Sequence, residues 1–249
     1  DPTPTVRPTR SFDNVSPEVT ITWRPTQQYT LYGSWKRGFL SGGFNPGAGG
    51  VAVALLGDRS YDEQIVEGFE VGAKAALFDG KVRLNVAAYD YKIDKLQVTS
   101  GIASTAATFI GNAATASVKG IEADIAVTPV QGLNFHGAIA YNKADYKRFD
   151  TAPCYGGQSV AEGCNLAPNA LGAFTLQDLS GQPLVRSPRW GAAIGANYEH
   201  ELGNGDVIGL NVDGNYSSKM FTDNLNRPGG VQKGYWLLRA GVRYENHGG

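Results

Sequence analysis

The sequence has little of what transmembrane helices, nucleic-acid-binding proteins and metalloproteins need. No run of roughly 18 or more apolar residues occurs, which excludes a transmembrane helix but not a transmembrane barrel, whose strands are apolar only at alternate positions. With 22 basic against 23 acidic residues, the net charge of -1 provides no overall attraction to nucleic acid. Two cysteines are too few for a disulfide scaffold and too isolated for a zinc site.

Catalytic motifs are also missing. The three histidines, His136, His200 and His247, have no partner at the spacing of a metal-binding motif. No G-x-S-x-G segment marks a serine nucleophile. The Gly-rich stretch 42–50 is followed neither by a predicted helix nor by the Gly-Lys-Ser/Thr of a phosphate-binding loop. We therefore expect no enzymatic activity, no metal site and no cofactor.

What the sequence does contain is strand-like alternation in a chain with 33 Gly, 12 Pro and 42% hydrophobic residues. In residues 190–199, for example, Trp190, Ile194 and Tyr198 share one face, whereas Asn197 and Glu199 share the other. The same pattern predicts nine strands, at residues 19–23, 29–35, 69–77, 82–88, 121–127, 133–141, 190–199, 207–216 and 236–244. The fold class is therefore all-β.

The connections between these strands alternate in length. Tight turns are predicted at residues 25–28, 79–80, 129–132 and 202–205. Long segments without sustained periodicity separate them, at residues 38–64, 99–110, 146–187 and 217–233. A soluble sandwich has little reason to segregate the two kinds, whereas an outer-membrane barrel has short periplasmic turns and long extracellular loops. The pattern favours a transmembrane antiparallel β-barrel.

Aromatic residues are placed as a membrane barrel requires. Trp190 and Tyr198 are eight positions apart on one apolar face, and so are Trp236 and Tyr244. At about 3.3 Å per residue and a tilt of about 45°, eight residues span roughly 19 Å of the membrane normal. This distance approximates the separation of two aromatic girdles.

The opposite faces of the predicted strands collect charge and amide groups. A charged side chain that faces lipid near the midplane would cost about 2–4 kcal/mol, whereas in a lumen it is hydrated or paired. We therefore predict that the apolar faces contact outer-membrane lipid and that the other faces line a lumen. The lumen-facing residues are Glu70, Lys74, Arg83, Glu122, Asp124, Asn134, Asn211, Asp213, Arg239 and Arg243.

Several short motifs follow one another along the chain. They are Arg37-Gly38-Phe39 with Gly42-Gly43-Phe44-Asn45, Phe69-Glu70-Val71-Gly72-Ala73-Lys74 with Leu77-Phe78-Asp79-Gly80, Leu84-Asn85 to Leu96-Gln97-Val98, and Asn112-Ala113 with Gly120-Ile121-Glu122. Each motif alone is modest, but together they cover nearly the whole chain, and their order resembles the barrel of TonB-dependent outer-membrane receptors.

The resemblance implies a fold, a location and partners. Receptors of this family lie in the outer membrane of Gram-negative bacteria, usually have 22 strands, and carry an N-terminal plug domain that fills the lumen. The resemblance covers residues 1–249 as a partial barrel of about nine strands, and nothing in residues 1–16 resembles a plug or a TonB box. We therefore expect an internal barrel fragment whose plug domain and last strands are absent.

The implied function is active import. By resemblance, the receptor binds a scarce bulky nutrient of the siderophore-iron, cobalamin or oligosaccharide class and is energised by the TonB-ExbB-ExbD complex. The lumen-facing residues are then candidates for contact with the plug, with simple hydration as the alternative. Ligand specificity is expected in the long loops, where the candidate binding residues are Arg37, Phe39, Phe44, Asn45, Tyr155 and Gln158.

Cys154 and Cys164 lie ten residues apart in the longest predicted loop, outside the reducing cytosol, so a disulfide between them is expected. Two other functions remain open from the residues alone. A passive outer-membrane pore or an adhesion barrel would need no plug, and a soluble β-rich binding module would bury the apolar faces in a sandwich core.

Overall fold

The computed structural model describes residues 9–45, 60–102, 107–169 and 172–246, so His247 and residues 46–50 of the Gly-rich stretch lie outside it. In chain order the strands are β1 (Glu18–Trp23), β2 (Tyr29–Leu40), β3 (Gly43–Phe44), β4 (Ser60–Tyr61), β5 (Gln64–Leu77), β6 (Val82–Ile102), β7 (Ala107–Val130), β8 (Leu133–Arg148), β9 (Ala152–Pro153), β10 (Leu166–Pro168), β11 (Phe174–Gln177), β12 (Trp190–Glu201), β13 (Val207–Ser217), β14 (Met220–Phe221), β15 (Val231–Gln232) and β16 (Tyr235–Glu245). Short 3₁₀-helices span Val160–Glu162 and Pro228–Gly230. Within the described ranges, no helix is long and apolar enough to cross a membrane.

Nine long strands form one antiparallel sheet in the order β1-β2-β5-β6-β7-β8-β12-β13-β16. Strands that follow one another along the chain are neighbours in this sheet, with three small sheets in the connections between them. All nine predicted strands are present, which confirms the all-β antiparallel fold. Local hairpin connections allow this order without any crossover.

Short connections occupy one end of the sheet, as the sequence predicts. They are residues 24–28, 78–81, 131–132 and 202–206. Gly132 has φ +82, and a Cβ at this position would lie 2.2 Å from the carbonyl oxygen of Glu199. The turn between β7 and β8 therefore requires glycine, both for its backbone conformation and for the space.

At the end of the sheet opposite the short connections, the strands are longer than predicted. β6 continues to Ile102 and β7 begins at Ala107, so the prediction of an irregular segment at residues 99–110 is wrong in its described part. Strand β2 likewise continues to Leu40. Beyond the bilayer both faces of a strand meet water or protein, so the contrast between lipid and lumen that produces alternation disappears.

The sheet has two chemically different faces. The "apolar face" carries Trp190, Val212, Trp236, Leu238 and Val242, with Leu238 and Val242 exposed by 80% and 79%. Protein covers neither residue, so the chain is not a sandwich with these side chains in its core. The "polar face" carries the ten predicted lumen residues, which the strand register places on one side.

The nine-stranded sheet is open. In the described residues, β1 pairs with β2 alone and β16 pairs with β13 alone, so each presents one unpaired edge of backbone amides and carbonyls. Such edges are not tolerated in hydrocarbon, where every backbone polar group needs a partner.

Candidate functional site

A small hydrophobic core anchors the longest connection to the end of the sheet opposite the short turns. Tyr146 from β8 packs against Phe149, with ring centroids 4.9 Å apart. Backbone hydrogen bonds from the Tyr146 amide to Gln182 and from the Gly181 amide to the Tyr146 carbonyl hold residues 181–182 alongside. The core consists of Val98, Ala114, Tyr146, Phe149, Ala152 and Leu179. Because these side chains are buried against one another, they hold the connection in a defined position at this end of the sheet.

A cavity of about 530 Å³ lies beside this core, and we call it the mouth cavity. Four segments line it: β6, β8, the stretch before β12 and the stretch after β14. Its lining residues are Leu96, Gln97, Val98, Thr99, Tyr146, Leu184, Val185, Arg186, Thr222, Asp223 and Asn224. Arg186 is exposed and forms no ion pair with any carboxylate in the described part of the chain. The cavity therefore combines apolar walls with a free guanidinium.

Asp223 is the acidic group of the mouth cavity. Its Oδ1 accepts a hydrogen bond of 3.0 Å from the Leu225 amide, and Arg227 Nε lies 3.2 Å from its Oδ2. The Arg227 contact is an ion pair without hydrogen-bond geometry, so this buried Oδ2 accepts no hydrogen bond from the described residues. A Cβ at Gly230 would lie 2.0 Å from Oδ2, so only glycine allows this approach.

A second cavity, of about 440 Å³, has Arg227 in its wall. Tyr155, Glu162, Arg227, Pro228 and Gly229 line it. Arg227 lines this cavity and pairs with Asp223 of the mouth cavity, so the ion pair connects the two. Tyr155 lines this second cavity and does not line the mouth cavity.

The loop that carries Tyr155 is closed by the disulfide between Cys154 and Cys164, which confirms the predicted bridge. Inside it, Glu162 accepts hydrogen bonds of 2.8 Å from both the amide and the hydroxyl of Ser159. These donors hold the pKa of Glu162 below its ordinary value of 4.5. Desolvation, followed by the nearby Glu162 carboxylate, raises the pKa of Tyr155.

The six predicted ligand residues do not form one cluster. Arg37 and Phe39 lie in strand β2 rather than in a loop, which corrects their predicted position. Phe44 is in β3, and the Asn45 side chain makes two hydrogen bonds to the backbone of Ile110, at 2.9 and 2.7 Å. Of these six residues, Tyr155 lines the second cavity, and the other five line neither cavity.

Gln158 serves the loop's own structure. Its Oε1 accepts a hydrogen bond from the Tyr155 amide at 3.0 Å, and its Nε2 donates one to Gln177 Oε1 at 2.8 Å.

Sequence reasoning missed Gln97, Arg186 and Asp223 as residues of the mouth cavity. The long segments that contain the latter two were identified, but no local pattern indicates that they meet β6.

On the polar face, tyrosines surround Glu70. Tyr32 donates a hydrogen bond of 2.8 Å to Glu70 Oε1, and Tyr91 donates one of 3.4 Å to Glu70 Oε2. The Tyr32 ring lies where a Cβ of Gly72 would be, because that Cβ would meet it at 2.5 Å. A glycine on the neighbouring strand thus lets the tyrosine lie flat across the wall and reach the carboxylate.

Asp213 joins three strands of the polar face. His136 Nε2 lies 3.1 Å from Asp213 Oδ1, and Arg239 Nη2 lies 3.2 Å from Asp213 Oδ2. Strand β12 passes between His136 and Asp213, and Gly195 is its residue at this point. A Cβ at Gly195 would lie 2.4 Å from His136 Nε2 and 2.6 Å from Asp213 Oδ1, so the contact depends on glycine.

Other polar-face charges differ in whether they are paired. Arg243 forms ion pairs with Glu199 at 2.6 Å and with Glu245 at 2.9 Å, while Asn85 donates to Asp124 at 2.7 Å. In contrast, Lys74, Arg83 and Glu122 form no ion pair within the described residues. The described residues also contain no group of three or more His, Cys, Asp or Glu side chains that could hold a metal ion.

Comparisons with known proteins agree with this geometry. Residues 1–247 match the family described as TonB dependent receptor-like, beta-barrel. Similar solved structures are the ferric yersiniabactin uptake receptor FyuA from Yersinia pestis (TM-score 0.64, 15% identity, 90% of this chain and 29% of that chain) and the siderophore receptor PiuA from Acinetobacter baumannii (0.64, 16%, 91% and 29%). A third is BauA, the ferric preacinetobactin receptor from Acinetobacter baumannii (0.60, 17%, 92% and 29%).

The chain spans less than a third of the length of each of these structures. Its apolar face, its polar face and its segregated connections have the arrangement that outer-membrane barrels of Gram-negative bacteria require. The proteins of this family are receptors, not enzymes. The chain belongs to the TonB-dependent receptor family of outer-membrane β-barrel proteins.

Proposed function

We propose that this chain forms part of the barrel wall of a longer receptor that binds a scarce bulky nutrient and imports it, energised by the TonB complex. The observation that carries the proposal is the mouth cavity, which lies at the long-connection end of the sheet. Long connections of outer-membrane barrels are extracellular, so the cavity meets ligand from outside the cell. The similar solved structures are receptors for ferric yersiniabactin, a siderophore and ferric preacinetobactin, which favours iron chelates as the nutrient class.

The chemistry of the mouth cavity suits an anionic chelate. Arg186 supplies a cation without a carboxylate partner among the described residues, and a guanidinium pairs well with carboxylate groups. Leu96, Val98 and Leu184 supply apolar area for the body of the ligand. Tyr155 is the candidate from the sequence that keeps a place in this proposal, because it lines the second cavity together with Arg227.

We also propose that the polar face holds a plug domain belonging to the complete receptor. Lys74, Arg83 and Glu122 face the lumen without an ion-pair partner in the described residues. Charges in a confined lumen are stabilised by partners of opposite sign, and a plug supplies them. The two unpaired edges of the sheet pair, in this proposal, with the remaining strands of a closed barrel of about 22 strands. Contact with TonB, ExbB and ExbD is assigned to parts of the receptor outside this chain.

Transport by the complete receptor tests the proposal. Cells that lack their other iron receptors are supplied with radiolabelled iron bound to catecholate, hydroxamate or carboxylate siderophores, with and without TonB. We expect saturable uptake of one class that disappears without TonB. Equal, unsaturable entry of small solutes in both strains would instead identify a passive pore, and cell attachment without entry would identify an adhesion barrel.

A substitution separates ligand capture from barrel assembly. Arg186→Gln removes the free cation of the mouth cavity and is expected to weaken binding by about fivefold, which corresponds to about 1 kcal/mol for an exposed charge pair. Arg148→Gln is the matched control, because Arg148 is also exposed at this end of the sheet but does not line the cavity. Equal affinities of the two variants would contradict the assignment of the ligand to this cavity.

A further inference from the structure

The apolar face has a cavity of its own, which the transport function does not use. It has a volume of about 280 Å³ and lies where β12 begins and β13 ends. Its lining includes the apolar side chains of Trp190, Met220, Phe221 and Val231 and the cations Arg189 and Lys219. We call it the girdle cavity.

The girdle cavity lies at the boundary between hydrocarbon and headgroups. Trp190 pairs in register with Tyr141 on the apolar face, and their ring centroids are 4.8 Å apart. On the neighbouring strands, Tyr216 and Trp236 make the same contact at 5.3 Å. Aromatic residues at this position form the girdle of a membrane barrel. Because the long connections start just beyond them, this girdle is at the outer leaflet.

The charges around the girdle cavity are predominantly positive. Arg189 Nη2 lies 3.0 Å from Asp145 Oδ1, and Lys143 Nζ lies 3.9 Å from Asp145 Oδ2. Lys219 is exposed and has no ion-pair partner among the described residues. One carboxylate therefore offsets three cations. An apolar pocket that is lined by two cations and by Trp190 of the apolar face complements a lipid that combines acyl chains with phosphate.

We propose that the girdle cavity binds a phosphate-bearing lipid of the outer leaflet, with part of an acyl chain against Met220, Phe221 and Val231 and the phosphate between Lys219 and Arg189. A soluble ligand is disfavoured because Trp190, which lies on the lipid-facing side of the sheet, lines the cavity. The girdle cavity and the mouth cavity share no lining residue, although both take residues from segments 183–190 and 218–224. Lipid bound here would pack the segment that carries β14 against the start of β12.

The test is lipid binding to the complete receptor in detergent, measured by native mass spectrometry with lipid A and with lipid A from which the phosphates have been removed. The two lipids share their acyl chains. We expect the phosphorylated form to be retained at lower concentration. Lys219→Gln should weaken this retention by about fivefold, in line with the contribution of one basic residue at a membrane surface.

Two further variants make the result decisive. Lys233→Gln removes a nearby exposed lysine that does not line the cavity and should leave retention unchanged. Val231→Trp fills the cavity and should weaken retention of both lipids. Folding of each variant is checked by the heat-dependent shift of the barrel on gels, and nutrient uptake should stay intact. Equal retention of the two lipids, or equal behaviour of Lys219→Gln and Lys233→Gln, would overturn the proposal.

Discussion

At Gly195 we expect replacement of glycine by alanine to change the stability of the protein in the opposite direction from usual. Replacing a glycine in a strand by alanine normally stabilises a protein by about 0.5–1 kcal/mol, because glycine loses more backbone freedom on folding. At Gly195 the new methyl group would occupy the space between His136 and Asp213. We therefore expect Gly195→Ala to destabilise the receptor.

The magnitude follows from the contacts that the methyl group displaces. A hydrogen bond to a charged group contributes about 1.5–3 kcal/mol, and the low end applies here because the side chains of His136 and Asp213 are 38% and 18% exposed. Moving Asp213 also weakens its pair with the well-exposed Arg239, by up to about 1 kcal/mol. After the gain from alanine is subtracted, the free energy of unfolding should fall by about 0.5–2 kcal/mol.

Gly191→Ala is the matched control. Gly191 lies on the same strand and the same face as Gly195, but the nearest atom to its added Cβ is 4.0 Å away. It should therefore stabilise the receptor by about 0.5 kcal/mol. The assay is urea unfolding of the complete receptor in lipid vesicles, followed by tryptophan fluorescence. If both variants are stabilised equally, the His136–Asp213 contact does not form and the assigned register at Gly195 is wrong.

Three other predictions address the membrane faces and the loop. Val212→Arg, on the apolar face, should lower the free energy of unfolding in vesicles by about 2–4 kcal/mol, whereas Asn211→Arg, on the polar face, should lower it by under about 1 kcal/mol. Similar decreases for the two variants would contradict the orientation of the sheet. Cys154→Ser opens a short loop and should lower the stability of that loop by about 3 kcal/mol, measured as faster hydrogen exchange at residues 155–164 with unchanged exchange in the barrel strands. The folded pKa of Glu162 is depressed, so its contribution to the stability of this loop is complete above pH 4.5 and is lost as the pH falls through the lower folded value. Hydrogen exchange at residues 155–164, corrected for intrinsic rates, should therefore accelerate only in this acidic range. In Glu162→Gln the corrected exchange should not depend on pH.

The strands that cross the bilayer were predictable because lipid and lumen impose opposite demands on alternate residues. Where those demands end, prediction fails: residues 99–102 belong to β6, and Arg37 and Phe39 belong to β2, although all were assigned to loops. The disulfide was predictable because its cysteines are only ten residues apart. A short closed loop needs no knowledge of the tertiary fold.

The mouth cavity was not predictable from the sequence. Its polar residues Gln97, Arg186 and Asp223 come from three segments separated by tens of residues, and each segment alone resembles an ordinary loop or strand end. What brings them together is the packing of Tyr146 and Phe149 under the longest connection. A contact between distant segments leaves no periodic trace in the sequence.

Strands β6 and β7 are long enough to extend well outside the bilayer. β7 has 24 residues, which at about 3.3 Å each and a tilt of about 45° rise roughly 56 Å, about twice the apolar band of about 25 Å. About half of this hairpin therefore stands clear of the bilayer as a hydrogen-bonded shaft. An antibody or a phage tail that approaches the bacterium meets this shaft before it meets the membrane. Proteases need an unpaired extended segment, so cleavage here should stop short of the paired backbone and leave the shaft on the cell surface.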